Sequence, residues 1–157
     1  MLYYNNTMTQ VPNLGVGQGA HIKMRMRFGG YVKNVSWIDN VFHYVAGPAV
    51  AIESGYQSGS SWKRTCTNLT GDLSCTEVDN ITIKNLVVHS ANGGGRIECW
   101  GNAPCTNLHF ENITIVDMKH ENLKPVIKCN NVASGIVVGG DLREMFDESC
   151  ASLETLS

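Results

Sequence analysis

Residues 80–87 read NITIKNLV, and this phrase decides the fold. An Asn opens it, apolar and polar residues alternate, and a second Asn precedes another apolar residue. The phrase returns at residues 107–114 as NLHFENIT and at residues 34–41 as NVSWIDNV. Its two Asn are five apart in the later copies and six apart, Asn34 to Asn40, in the first. Alternation at period two is the pattern of a half-buried strand. It turns Val35, Trp37, Ile81, Ile83, Leu108 and Phe110 inward. Ser36, Thr82, Lys84, His109 and Glu111 then face out.

Working outward, the phrases start 46 and 27 residues apart. A further strand-like segment, Ala49 to Glu53, subdivides the wider gap. One coil per roughly 20–30 residues is the spacing of a solenoid. Helical character is confined to residues 141–150. The expected fold is therefore all-β, a parallel β-helix whose stacked coils bury a continuous apolar column. Stacked Asn side chains at the turns can hydrogen-bond to one another and to the backbone, which gives the repeated Asn a physical purpose. The rival is an antiparallel β-sandwich. Against it, two-residue hairpin signals are scarce; Asn92-Gly93, opening a Gly triplet, is the one good example. A solenoid needs closed ends, and the loop from Cys129 to Cys150 offers a closure at one of them.

The chain has 157 residues, the size of one domain. Its net charge of -2 excludes a generally basic nucleic-acid binder and an acidic tail protein. No run approaches the roughly 18 apolar residues of a membrane helix. Sixteen Gly argue against a helical bundle. The six Cys are Cys66, Cys75, Cys99, Cys105, Cys129 and Cys150. They lack the paired knuckles of a zinc site, and their even count favours disulfides in an oxidising compartment. Many connectivities are open; sequential pairing is the expected one. Asn5, Asn34, Asn68, Asn80 and Asn112 each head an N-x-S/T sequon. Asn34, Asn80 and Asn112 belong to the turn phrases, which leaves Asn5 and Asn68 as the glycosylation candidates. The opening, MLYYNNTMTQVPN, has no secretory signal, so a segment upstream of it is expected to be missing.

Chemistry concentrates in residues 21–28, HIKMRMRF. On a strand, His21, Lys23, Arg25 and Arg27 share one face, and Ile22, Met24, Met26 and Phe28 share the other. Such a row suits an anionic ligand gripped by charge-assisted hydrogen bonds. The plain alternative is a solvated strand face. The five His show no metal-ligand spacing. Asp39, Asp79 and Asp117 sit near turns, where Asp bonds the backbone. Gly15 to Gly19, GVGQG, is a turn and not a phosphate loop, because no helix signal follows it.

The order of features from residue 5 to 150 resembles glycoside hydrolase family 28, the polygalacturonases. That family carries an Arg-Ile-Lys motif, a Gly-rich turn, an Asn-led strand and a Pro-Ile-x-Ile strand ending near a Tyr. The counterparts here are His21-Ile22-Lys23, Phe28-Gly29-Gly30, Asn34-Val35-Ser36-Trp37, and Pro48-Ala49-Val50-Ala51-Ile52 with Tyr56. Cys99 to Cys105 with the strand after it, and Cys129-Asn130-Asn131-Val132 through Cys150, are similar to the family's later Cys regions.

The resemblance implies a right-handed parallel β-helix that hydrolyses α-1,4-galacturonosyl linkages in pectin with inversion. It places substrate-binding roles on Lys23, on His21 in place of the motif Arg, and on Tyr56. The family's Asn-Thr-Asp, Asp-Asp and Gly-His-Gly motifs are absent, so no catalytic residue is assigned. The chain is expected to be a C-terminal portion, about half of a full domain and inactive alone. It would form one partial β-helix domain, 1–157, with coil or turn at 1–20 and a disulfide-closed cap and tail at 129–157. The expected partner is pectin or polygalacturonate. Nucleic acid, membrane, metal and cofactor are not expected, and a monomer is expected if the chain is complete. The expected location is extracellular or the cell wall. The alternatives are a non-catalytic module binding acidic polysaccharide and a structural β-solenoid remnant.

Overall fold

The computed structural model describes residues 1–9, 17–25, 30–56, 75–118, 120, 122, 124–150 and 153–155. The strands are β1 Leu2–Tyr4, β2 Thr7–Thr9, β3 Ala20–Arg25, β4 Gly30–His43, β5 Val50–Tyr56 and β6 Thr76–Val88. They continue as β7 Gly95–Glu98, β8 Cys105–Ile115, β9 Ile127–Asn130, β10 Val132–Gly139 and β11 Leu153–Thr155. One 3₁₀ segment spans Gly140–Met145, and no α-helix occurs among the described residues. From β3 to β10 the chain alternates between two sheets. One runs β1-β4-β6-β8-β10-β11, with β2 also on β4; the other runs β3-β5-β7-β9. Every ladder between these strands is parallel. That excludes the antiparallel sandwich and leaves the parallel β-helix. Asn92-Gly93 makes no hairpin; it leads into the parallel strand β7.

The repeated phrase lies on β4, β6 and β8, which pair in register at Val35, Ile81 and Leu108 and again at Trp37, Ile83 and Phe110. All six are buried, as the alternation requires. Fully burying an Ile or Leu contributes about 1.5–3 kcal/mol, so the column drives the stacking of coils. The Asn residues turn the corners: Asn34, Asn80, Asn85, Asn107 and Asn112 all hold φ between 51° and 58°. Asn enters this left-handed region more easily than other side chains. Their side chains then form two ladders. Asn80 Nδ2 donates to Asn34 Oδ1 at 2.6 Å and Asn107 Nδ2 to Asp79 Oδ1 at 2.7 Å. In the second, Asn112 Nδ2 donates to Asn85 Oδ1 at 2.9 Å and Asn85 Nδ2 to Asp39 Oδ1 at 2.6 Å.

Two expectations change here. The ladder partner in the first phrase is Asp39 and not Asn40, so the corner spacing is five throughout. Asn40 instead pairs with Leu86 in the inward register and is buried. It is fully hydrogen-bonded there. Its Nδ2 donates to the Tyr3 and Ile38 carbonyls at 3.0 and 2.9 Å, and its Oδ1 accepts from the Asn6 backbone N–H at 3.1 Å and from Asn6 Nδ2 at 3.0 Å. Second, the 46-residue gap is a single coil, because β4 pairs directly with β6. Ala49 to Glu53 falls largely in β5, in the other sheet of that coil.

Residues 1–20, expected as coil or turn, carry β1 and β2, both docked on β4. Asn40 tethers them, and the Tyr3 ring stacks on Trp37 at 5.3 Å. At the other end Cys129 bonds to Cys150, and Leu142 and Phe146 close over the column, Phe146 lying 5.3 Å from Phe110. Cys99 bonds to Cys105. Cys75 is also in a disulfide; Cys66, its expected partner, lies outside the described residues.

Candidate functional site

The sheet β3-β5-β7-β9 repeats a shorter phrase: His21-Ile22-Lys23, Ala51-Ile52-Glu53, Arg96-Ile97-Glu98 and Lys128-Cys129-Asn130. Ile22, Ile52, Ile97 and Cys129 stand in register and are buried. Period two then puts their neighbours on the outer face. Two rows cross the strands there. One is His21, Ala51, Arg96, Lys128; the other is Lys23, Glu53, Glu98, Asn130. Parallel in-register pairing converts a short sequence repeat into a continuous polar strip.

Glu53 anchors the strip. Its side chain is completely buried, yet it sits between the His21 imidazole and the Arg96 guanidinium. His21 Nε2 lies 3.0 Å from Glu53 Oε2, and Arg96 Nε donates to Glu53 Oε1 at 2.5 Å, with Arg96 Nη2 paired to the same oxygen. Burial pushes the Glu53 carboxyl up, but hydrogen bonds from His21 and Arg96, with their charges, outweigh it and hold the carboxyl below its ordinary range. An ionised carboxylate only accepts, so the His21 proton sits on Nε2.

Glu98 has the opposite character. It is the register partner of Glu53. Its Oε2 is buried without a hydrogen bond, and Arg96 Nε is 3.9 Å away. Burial pushes the Glu98 carboxyl up; Arg96 pulls it down, and the Glu53 charge pushes it further up. Two neighbouring carboxyls are thus driven apart in proton affinity.

The sequence-expected residues fall as follows. Lys23 is exposed on the strip, opposite Glu53. His21 is on the strip too, but its Nε2 is committed to Glu53, so it does not present a lone imidazole. Tyr56 ends β5 opposite Arg25, past a register shift of one residue between Lys23 and Arg25. Arg27 lies outside the described residues, as does Asn68. Asn5 is exposed. Sequence reasoning passed over Glu53, Arg96 and Glu98. The signal was present as the repeated x-Ile-x triplet, hidden because its copies are separated by whole coils.

The three turn aspartates serve the backbone and the ladders. Asp79 accepts from Thr106 Oγ1 and Asn107 Nδ2, and Asp117 from the Ser90 backbone N–H and Oγ. These hydrogen bonds hold both carboxyls below the usual range. No group of three His, Cys, Asp or Glu among the described residues is placed to hold a metal ion. No described helix is long and apolar enough to cross a membrane.

A search of curated proteins and a search of solved structures each found no match. The family model for glycosyl hydrolases family 28 matches residues 5–138, from the first tethered turn to the end of β10. That span covers both ladders and the whole polar strip, and the parallel two-sheet coil is the architecture the family resemblance implied. The chain belongs to glycosyl hydrolases family 28.

Proposed function

We propose that the outer face of β3-β5-β7-β9 holds the uronate backbone of pectin, as the substrate-binding part of a polygalacturonase-like hydrolase. The carrying observation is exposed Lys23 on a strip whose Arg96 and His21 are held by buried Glu53. A pre-positioned polar strip carrying Lys23 and Lys128 pays little ordering entropy on binding a polymer with one carboxylate per sugar. Lys23, His21 and Tyr56 are the proposed contact residues, His21 through its ring and its hold on Glu53.

This chain alone is proposed to bind without cleaving. Inverting hydrolysis needs a protonated carboxyl and a free carboxylate flanking the scissile bond, roughly 6.5–9.5 Å apart. Glu53 and Glu98 sit on adjacent strands, about 4.8 Å apart in backbone. Glu53 is buried and doubly held, so it cannot activate a water. The Asn-Thr-Asp, Asp-Asp and Gly-His-Gly motifs do not occur in the sequence. The disulfides support an oxidising, extracellular or cell-wall location, with Asn5 the proposed glycan carrier among the described sequons. Asn80 and Asn112 spend their Nδ2 in the ladders.

The test is polygalacturonate binding by the whole chain across a salt series. Binding is expected to weaken as salt rises, to fall about three- to tenfold in Lys23→Ala, and to be absent for neutral galactan. Salt-independent or missing binding would favour a structural solenoid. Release of reducing ends at an enzyme-like rate would sink the claim that the chain binds without cleaving.

A further inference from the structure

Charge divides along the chain. Residues 1–38 hold four Lys or Arg and no Asp or Glu, whereas residues 141–157 hold five Asp or Glu and one Arg. The coil stack places these segments at opposite ends. β1, β2 and β3 lie at one end, each paired on one side only. β9 and β11 are the last strands at the other, beside the 3₁₀ segment Gly140–Met145. At the first end Lys23 and Lys33 are exposed, Lys33 set against Glu77 of the next coil. At the second, Glu144, Glu148 and Glu154 are exposed and have no ion pair among the described residues. The first end is also apolar. Tyr3 and Met8 stand in register with buried Trp37 and Phe42, yet they are 41% and 55% exposed, because no described strand covers them. Finally, β1 and β11 share one position in their sheet. Followed strand by strand, Leu2 falls in the column of Glu154 and Tyr3 in the column of Thr155.

We propose that this chain associates with a second copy head to tail, the basic β1–β3 end of one copy docking on the acidic cap end of the next. The inference does not depend on the pectin reading. A copy moved along the stack axis brings its β1 beside β11 in parallel register, and an unpaired strand edge is a template for such pairing. The same movement sets Lys23 and Lys33 towards Glu144 and Glu148, and it covers Tyr3 and Met8. Opposite charge selects this arrangement, because two basic ends or two acidic ends repel. The contact joins unlike surfaces and does not close on itself, so it continues from copy to copy as a linear filament. Each copy adds the six strands β1, β4, β6, β8, β10 and β11 to the shared sheet, which sets an axial repeat of about 29 Å.

The experiment measures the mass of the whole chain by light scattering across a concentration and salt series. It compares wild type, Lys23→Glu/Lys33→Glu, Glu144→Lys/Glu148→Lys, and an equimolar mixture of the two variants. At low salt the wild-type mass is expected to climb with concentration without a plateau, and to fall back towards a single chain as salt rises. Each variant alone is expected to need about tenfold higher concentration to associate. The mixture is expected to recover to within about threefold of wild type, because reversed ends then meet reversed ends and native ends meet native ends. All four side chains are exposed, so the variants keep the fold, which a thermal melt checks. Electron micrographs of wild type at low salt are expected to show the axial repeat, a readout that needs no variant. A wild-type chain that stays monomeric overturns the proposal. A mass that stops at the dimer and ignores the Glu144→Lys/Glu148→Lys change means that two like ends have met, and overturns it too. Association that strengthens with salt, or a mixture no better than its parts, removes the charge pairing and with it the head-to-tail contact.

Discussion

At the scale of residues, Glu53 and Glu98 set up opposite pH dependences on one surface. The Glu53 carboxyl is depressed in the folded state. Its stabilisation is complete above the unfolded value near 4.5 and is lost as pH falls through the lower, folded value. The Glu98 carboxyl is raised, so the folded state holds that proton longer. Its ionisation then costs stability as pH rises from about 4.5 through the raised value. Glu53→Gln is expected to destabilise by about 2–3 kcal/mol at pH 7, because it leaves Arg96 and His21 over a buried amide. Glu98→Gln is expected to raise stability at pH 7 by a few tenths to about 1 kcal/mol, with the gain vanishing below pH ~4.5. Urea denaturation of both variants at the two pH values measures this. A Glu98→Gln gain that persists in acid would contradict the assignment.

At the scale of elements, coil stacking depends on how closely backbones approach. A Cβ at Gly94 would come within 2.3–2.6 Å of the Pro125 and Val126 backbone, where nothing flexible can yield. Gly94→Ala is expected to cost about 3 kcal/mol. Gly93, one residue earlier, sits at φ 147° with open space around it. Gly93→Ala therefore meets only backbone strain, about 1 kcal/mol. Chemical denaturation of the two neighbours separates close approach from conformation; equal costs would refute the stacking argument. The ladders are the other stacking device, and they were the most legible feature of the chain. The Asn phrase showed through because the same corner recurs with the same spacing. Asn40 escaped that reading because its role depends on Tyr3 and Asn6, which are distant in sequence.

At the scale of the whole molecule, a solenoid is nearly one-dimensional, and each coil is held by its neighbours. An end coil has one neighbour and needs another support. Cys129–Cys150 ties the 3₁₀ segment and Phe146 to β9, closing a loop of 21 residues. Replacing both with Ser is expected to cost about 3 kcal/mol. The loss should be local, because β6 and β8 are held by ladders and core independently. Hydrogen exchange should show protection falling in β9 and β10 first, with β6 nearly unchanged. Uniform loss across all strands would mean one cooperative unit in place of a stack.

The sequence by itself determined the coil. Period-two alternation assigned which side chains face inward, and repeated Asn marked the corners, because both are local properties of a backbone that visits few conformations. The even Cys count and the order of motifs were local as well, and they sufficed to point to family 28. The proposed binding surface was only partly legible. Lys23 was visible because its row of charges is continuous along one strand. Glu53, Arg96, Glu98 and Lys128 were not, because they come from three different coils, on β5, β7 and β9. Only in-register parallel pairing brings them side by side, and only the tertiary structure sets His21 Nε2 against the buried Glu53 carboxylate.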